Sequence, residues 1–138
     1  MPRSSPPSKR KPPTTAPRAL ERLIERSLRQ GTQALYRDAA LYDHLYAQRK
    51  DDIGFYVKMA QRHSGPVLEI GVGTGRIAVA LATAGFEVVG IDAMPSMLRQ
   101  ARSRIAGLPA SVQARIVLHR ADMRQFSLGR RFPLVIAP

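Results

Sequence analysis

Glu69-Ile70-Gly71-Val72-Gly73-Thr74-Gly75 lies between an apolar run, Val67 to Ile70, and a helical pattern from Arg76 to Ala84. The run reads as a buried strand, so the stretch is a strand, a glycine turn and a helix in that order. This is the crossover unit of a parallel α/β sheet, and its turn is suited to a phosphate or a nucleoside. Glycine lets backbone amides approach a ligand with no Cβ in the way, and the helix N-terminus adds partial positive charge. Tight turning alone also calls for glycine, so the turn by itself leaves a ligand role and a purely structural one open. Its spacing is more selective. A dinucleotide fingerprint is Gly-x-Gly-x-x-Gly, whereas here the third glycine comes one position early and Arg76 stands in its place.

Working downstream, short apolar runs recur at Val88–Ile91, Ile116–Leu118 and Leu134–Ala137. They are continuous rather than alternating, as expected of strands buried on both faces. Between the first two strands, the alanine-rich segment Ile77 to Ala82 allows a helix to sit close to a sheet, and Gly85 supplies a left-handed stop. Pro95 suits a helix start, with Met97, Leu98, Ala101 and Ile105 forming an apolar face. The order implies a parallel α/β sheet with right-handed crossovers. Asp92 ends the second strand, 17 positions after Gly75, where a carboxylate can accept from both hydroxyls of a ribose. Asp122-Met123 follows the third strand. Read without the other motifs, Asp122 is as readily an ordinary loop aspartate as a ligand contact.

Acidic-x-Gly-x-Gly-x-Gly at Glu69–Gly75 resembles the first motif of class I S-adenosylmethionine-dependent methyltransferases. Gly90-Ile91-Asp92-Ala93-Met94-Pro95-Ser96-Met97-Leu98 is similar to that family's Gly-hydrophobic-Asp-x-x-Pro-x-Met-Leu signature, and Asp122 falls where members carry an acid after strand three. Arg130 to Pro138 looks like the approach and strand of a fourth motif, commonly Phe-Asp-x-Val, with Pro133 in place of the aspartate. Proline is tolerated at a strand start, so the strand expectation stands.

The resemblance covers residues from about 40 to 138 and implies a Rossmann-like fold with S-adenosyl-L-methionine as cofactor. It implies that the methionine moiety runs along the turn of Gly71, Gly73 and Gly75, with Glu69 facing its amino end. Asp92 would hold the ribose, Ala93 and Met97 would pack near the adenosine, and Asp122 with the Met123 amide would read the adenine. Met97 is equally well an apolar core position. Ala137 would lie where the backbone passes the cofactor's reactive end. The family's sheet has seven strands in the order 3-2-1-4-5-7-6, of which four are expected here. The chain therefore resembles an N-terminal portion, although completion by a partner chain is also open. The catalytic residues and the methyl acceptor have no candidates among these motifs.

Upstream, Ile53, Tyr56, Val57 and Ala60 recur at helical spacing before the breaker Ser64-Gly65-Pro66. Leu35, Ala39, Tyr42, Leu45 and Tyr46 form an earlier pattern, and Leu20, Leu23, Ile24 and Leu28 the first. Residues 19–63 are thus expected to be helical and 64–138 to form the α/β part. Related enzymes cover the cofactor with an N-terminal Tyr-Asp helix, which makes Tyr42 either a lid residue or core-edge packing, as Tyr36 and Tyr46 are. Asp51-Asp52 reads as a solvated helical face. His44, His63 and His119 have neither metal-ligand spacing nor a nucleophile partner, and no metal is expected.

The 138-residue chain carries a net charge of +12 and no cysteine, which excludes disulfides and thiolate metal sites. Residues 1–18 are Pro-rich and basic, with too few apolar groups to offset the entropy of ordering, and are expected to be disordered. Such a tail supplies non-specific phosphate attraction or a solubilising extension, and no interleaved aromatics offer a stacking platform for nucleic acid. No apolar run approaches the roughly 18 residues that span a membrane, and none follows the basic N-terminus as a secretory core would. The cytoplasm is the expected compartment. Two rivals to an enzyme reading remain at this stage: a non-catalytic methyltransferase-like subunit, or a nucleic-acid adaptor using the tail. A nicotinamide oxidoreductase is disfavoured by the early third glycine.

Overall fold

Hydrophobic periodicity switches from helical to strand-like at Ser64-Gly65-Pro66, and the backbone follows it. The computed structural model describes residues 22–24, 26 and 37–138. The basic tail, most of the first helical pattern and Tyr36 lie outside the described residues. Among the elements described in full, the helices α1 (Ala39–Tyr46) and α2 (Asp51–His63) lead. They are followed by β1 (Val67–Ile70), α3 (Arg76–Thr83), β2 (Val88–Asp92), α4 (Pro95–Ala106), α5 (Ala110–Gln113), β3 (Ile116–Arg120) and β4 (Leu134–Ile136). The four strands are parallel in the order β3-β2-β1-β4, the partial order expected from the family resemblance.

Local chemistry sets the helix ends. Asp38 caps α1 by accepting from the Leu41 amide at 3.0 Å. Pro95 occupies the first turn of α4, where its missing N–H costs nothing. Gly85 has φ +100° just past α3. The four-residue α5 was not foreseen, since one turn is too short to show a period.

Helices α2, α3 and α4 pack on a single face of the sheet. There Ala60, Ile77, Ala78, Leu81 and Leu98 meet Val67, Val88, Leu134 and Ile136 in one buried cluster. Gly90 lets this face close up: a Cβ on it would stand 2.7 Å from Val72 Cγ2 and 2.9 Å from Leu118 Cδ2. On the opposite face Leu68, Val89 and Ile91 pack with Ile70 and with Ala121, Leu128 and Phe132 of the loop that joins β3 to β4. A hollow of about 430 Å³ remains between Leu68 and that loop.

This asymmetry corrects one expectation. β1 and β2 are buried on both faces, but β3 and β4 alternate, with Val117 and Val135 about half exposed. No described helix covers the side to which these two residues point. β3 also runs two residues further than its apolar run, because His119 and Arg120 keep parallel register with Ile91 and Asp92. At an exposed edge, backbone pairing continues where the need for apolar side chains ends.

Candidate functional site

Glycine at 71, 73 and 75 is required by conformation, since all three have positive φ (71°, 55° and 80°). The turn doubles back so that Gly71 and Val72 donate to the Ile91 carbonyl, both at 2.9 Å. It thereby places the ends of β1 and β2 side by side. Gly75 does a different job. A Cβ on it would lie 3.3 Å from Ala101 Cβ, so it seats the turn against α4 and is buried.

Asp92, at the end of β2, ties two loops together. Its Oδ2 accepts from the Gly73 amide at 2.9 Å and its Oδ1 from the Met94 amide at 2.8 Å. A carboxylate offers about four lone-pair sites, so both oxygens can accept further donors. The cleft beside it has a volume of about 500 Å³, within the roughly 300–1,000 Å³ range of small-molecule sites. Seven of the expected residues line it: Gly71, Gly73, Asp92, Ala93, Asp122, Met123 and Ala137. They come from the C-terminal ends of all four strands, where parallel sheets bind ligands.

Three expected residues lie elsewhere. Gly75 supports the turn from behind. Met97 is buried in the core, 1% exposed, and Met94 lines the cleft instead. Glu69 points to the helix-covered side and lines an adjoining polar recess of about 260 Å³, which shares Tyr42, Gly71 and Pro138 with the cleft.

The recess contains residues that the sequence reading passed over. Arg76 donates to Asp52 through both Nη atoms at 2.7 Å and also to the Arg49 carbonyl at 2.7 Å. Asp52 is therefore a partly buried ion-pair partner, whereas Asp51 is exposed. The Arg76 hydrogen bonds hold the Asp52 carboxyl below its ordinary range and raise the guanidinium in turn. A signal existed: an arginine in the first turn of a helix opposes the helix dipole and calls for an anionic partner.

Glu69 is 2% exposed, and its Oε2 has no hydrogen-bond partner among the described residues. Burial pushes its pKa up to about 8, against the opposing pull of Arg76 and with a smaller push from Asp92. A buried acceptor facing a polar recess is where a donor from a ligand would be satisfied. At the far rim Asp122 is held by Arg124, with Nε at 3.0 Å from Oδ1 and Nη2 at 2.5 Å from Oδ2. That pairing lowers its pKa to about 2.

Tyr42 lines both cleft and recess, and its ring stands 4.0 Å from where a Cβ on Gly73 would be. Its ring also lies against that of Tyr46, with centroids 4.4 Å apart. Among the described residues no helix is long and apolar enough to cross a membrane, and no group of three or more His, Cys, Asp or Glu could hold a metal.

The family model described as "Methyltransferase domain" matches residues 67–138. The chain is 33% identical over 114 residues to dTDP-3-amino-3,6-dideoxy-alpha-D-glucopyranose N,N-dimethyltransferase of Streptomyces fradiae, covering 76% of this chain and 42% of that protein. It is 35% identical over 71 residues to magnesium-protoporphyrin O-methyltransferase of Rhodobacter capsulatus, covering 51% of this chain and 30% of that one. Among solved structures, the glycopeptide N-methyltransferase complexed with sinefungin superposes with a TM-score of 0.58 at 35% identity, covering 65% of this chain and 37% of that one. The same enzyme is also solved with S-adenosyl-L-methionine. The chain thus spans less than half the length of these relatives.

Proposed function

This chain belongs to the class I S-adenosylmethionine-dependent methyltransferases, and from that premise we propose that its cleft and recess hold S-adenosyl-L-methionine for methyl transfer to an acceptor. The reading rests on one observation above the others: Gly73, Asp92 and Asp122, drawn from three separate strand ends, converge on a single cleft of about 500 Å³. Its recess is lined by a buried carboxyl with one oxygen unpartnered among the described residues, and its turn has open space where a Cβ on Gly71 would project. These features suit a ligand with an ammonium at one end and a ribose in the middle.

In this reading Glu69 and the recess take the amino-acid end, and the backbone of Gly71 and Gly73, carrying no Cβ, runs close along the chain of the ligand. Asp92 accepts from the ribose hydroxyls, while Asp122 and the Met123 amide meet the adenine. When bound, the cofactor supplies an electrophilic methyl group on a sulfonium. The protein's contribution is to hold that group in line with a nucleophile and to keep water away, which is catalysis largely by positioning. Tyr42 and Ala137 both line the cleft. The chain is similar to relatives named for nitrogen and for oxygen acceptors alike, so the proposal extends to the cofactor and reaction type.

Isothermal titration of the 138-residue chain with S-adenosylhomocysteine should show one site, weakened at least tenfold by Asp92→Ala. Thermal unfolding of the variant checks that it remains folded. Binding indifferent to Asp92→Ala, or no binding by a folded wild-type chain, would sink the assignment.

A further inference from the structure

Helix α1 borders the cleft, yet none of its residues is fully buried. Eight residues with no buried anchor do not stay helical and docked by propensity alone, since isolated helices shorter than about 12 residues are marginal in water. The fastening is polar and centred on one carboxylate. Asp43 Oδ1 accepts from the Thr74 hydroxyl. Its Oδ2 accepts from Arg104 Nη2 at 2.8 Å and from Gln100 Nε2 at 3.2 Å. Arg104 closes the circuit by donating from Nη1 to Thr74 Oγ1 at 3.3 Å.

The four residues belong to three pieces of chain: α1, the glycine turn and α4. Thr74 is 2% exposed, and the Asp43 and Arg104 side chains are 21% and 31% exposed, so solvent screens this network only in part. Asp43 itself lines neither the cleft nor the recess, whereas its neighbour Tyr42 lines both. The carboxylate therefore acts on the site through what it fastens together, the helix that carries Tyr42 and Thr74 of the turn.

We propose that Asp43 is a positioning residue: by fastening α1 to Thr74 and Arg104 it holds Tyr42 over the cleft and slows departure of the cofactor. The proposal deepens the cofactor reading above and rests on it. Thr74 then has two roles in one residue. Its backbone belongs to the turn, and its hydroxyl is the latch plate for the helix that covers that turn. Because the latch closes over a bound ligand, losing it should raise the dissociation rate more than it changes the association rate.

Two measurements on the full chain test this. Stopped-flow dissociation of S-adenosylhomocysteine should be roughly ten- to a hundredfold faster for Asp43→Asn, the range set by loss of hydrogen bonds to a charged group. Thr74→Val should do the same, and Thr74→Ser should restore the wild-type rate. Hydrogen exchange in the free protein should quicken for the amides of residues 39–46 in Asp43→Asn, with those of α3 and β2 unchanged. An unaltered dissociation rate overturns the proposal, with or without faster exchange. So does faster exchange spread through α3 and β2, which would mark a general loss of stability. If the wild-type chain binds no S-adenosylhomocysteine, the cofactor reading fails. The exchange arm then judges the latch alone, and unchanged protection of residues 39–46 in Asp43→Asn overturns it.

Discussion

Glu69 carries a proton that the unfolded chain would give up. Its ordinary pKa is 4.5, and burial raises it to about 8 in the folded protein. The native state therefore binds more protons than the unfolded state across that window. The stability from this group is fully present below 4.5 and is lost as the pH rises through about 8. Glu69→Gln stays neutral throughout, so its melting temperature should gain on the wild type as pH climbs from 5 to about 8. Melting curves at several pH values check this, and a constant difference would count against the buried acid as the cause. Residues of this kind were legible in the sequence because acid and glycine at fixed spacing carry their own geometry. Gly71, Gly73, Asp92, Asp122 and Met123 all reach the cleft. Met97 was not separable from Met94: both are apolar and three positions apart, and only packing shows which one the core takes. Arg49 and Arg76 were missed for a related reason, since the recess joins α2 to the turn and depends on tertiary contact.

At the scale of elements, β2 and the glycine turn are pressed together at Gly90. Alanine there would place a methyl 2.7 Å from Val72 Cγ2 and 2.9 Å from Leu118 Cδ2, below any tolerated contact. Gly90→Ala should cost about 1–3 kcal/mol, the usual penalty of overpacking, read as a lowered denaturation midpoint. It should also weaken nucleoside binding, because Val72 belongs to the turn. An unaffected midpoint would mean that Val72 moves aside freely. Helix faces were readable from periodicity, as α2 and α4 show, whereas strand order came from the family resemblance. Element ends were less so. β3 continues through His119 and Arg120 because parallel register with β2 carries it, a property of the partner strand rather than of its own residues.

At the scale of the molecule, the described residues cover the sheet thickly on one side and thinly on the other. Val117 and Val135 lie about half exposed on the thin side, and β3 and β4 are its edges. An apolar parallel edge invites association between chains. Val135→Lys should reduce concentration-dependent self-association in sedimentation without altering S-adenosylhomocysteine affinity. Equal association by the variant would exonerate this face. The sequence suggested strands buried on both sides because runs such as Ile116–Leu118 are apolar throughout, and composition does not record which neighbours are present to cover them. The uneven cover also divides the cleft mechanically. Gly73 and Asp92 are anchored to the densely packed side, while Asp122 and Met123 ride on the same loop that bridges the 430 Å³ hollow. One wall of the cleft is thus set in masonry and the other hung on a hinge, so thermal breathing should widen the pocket from the Asp122 end while its glycine end keeps its shape.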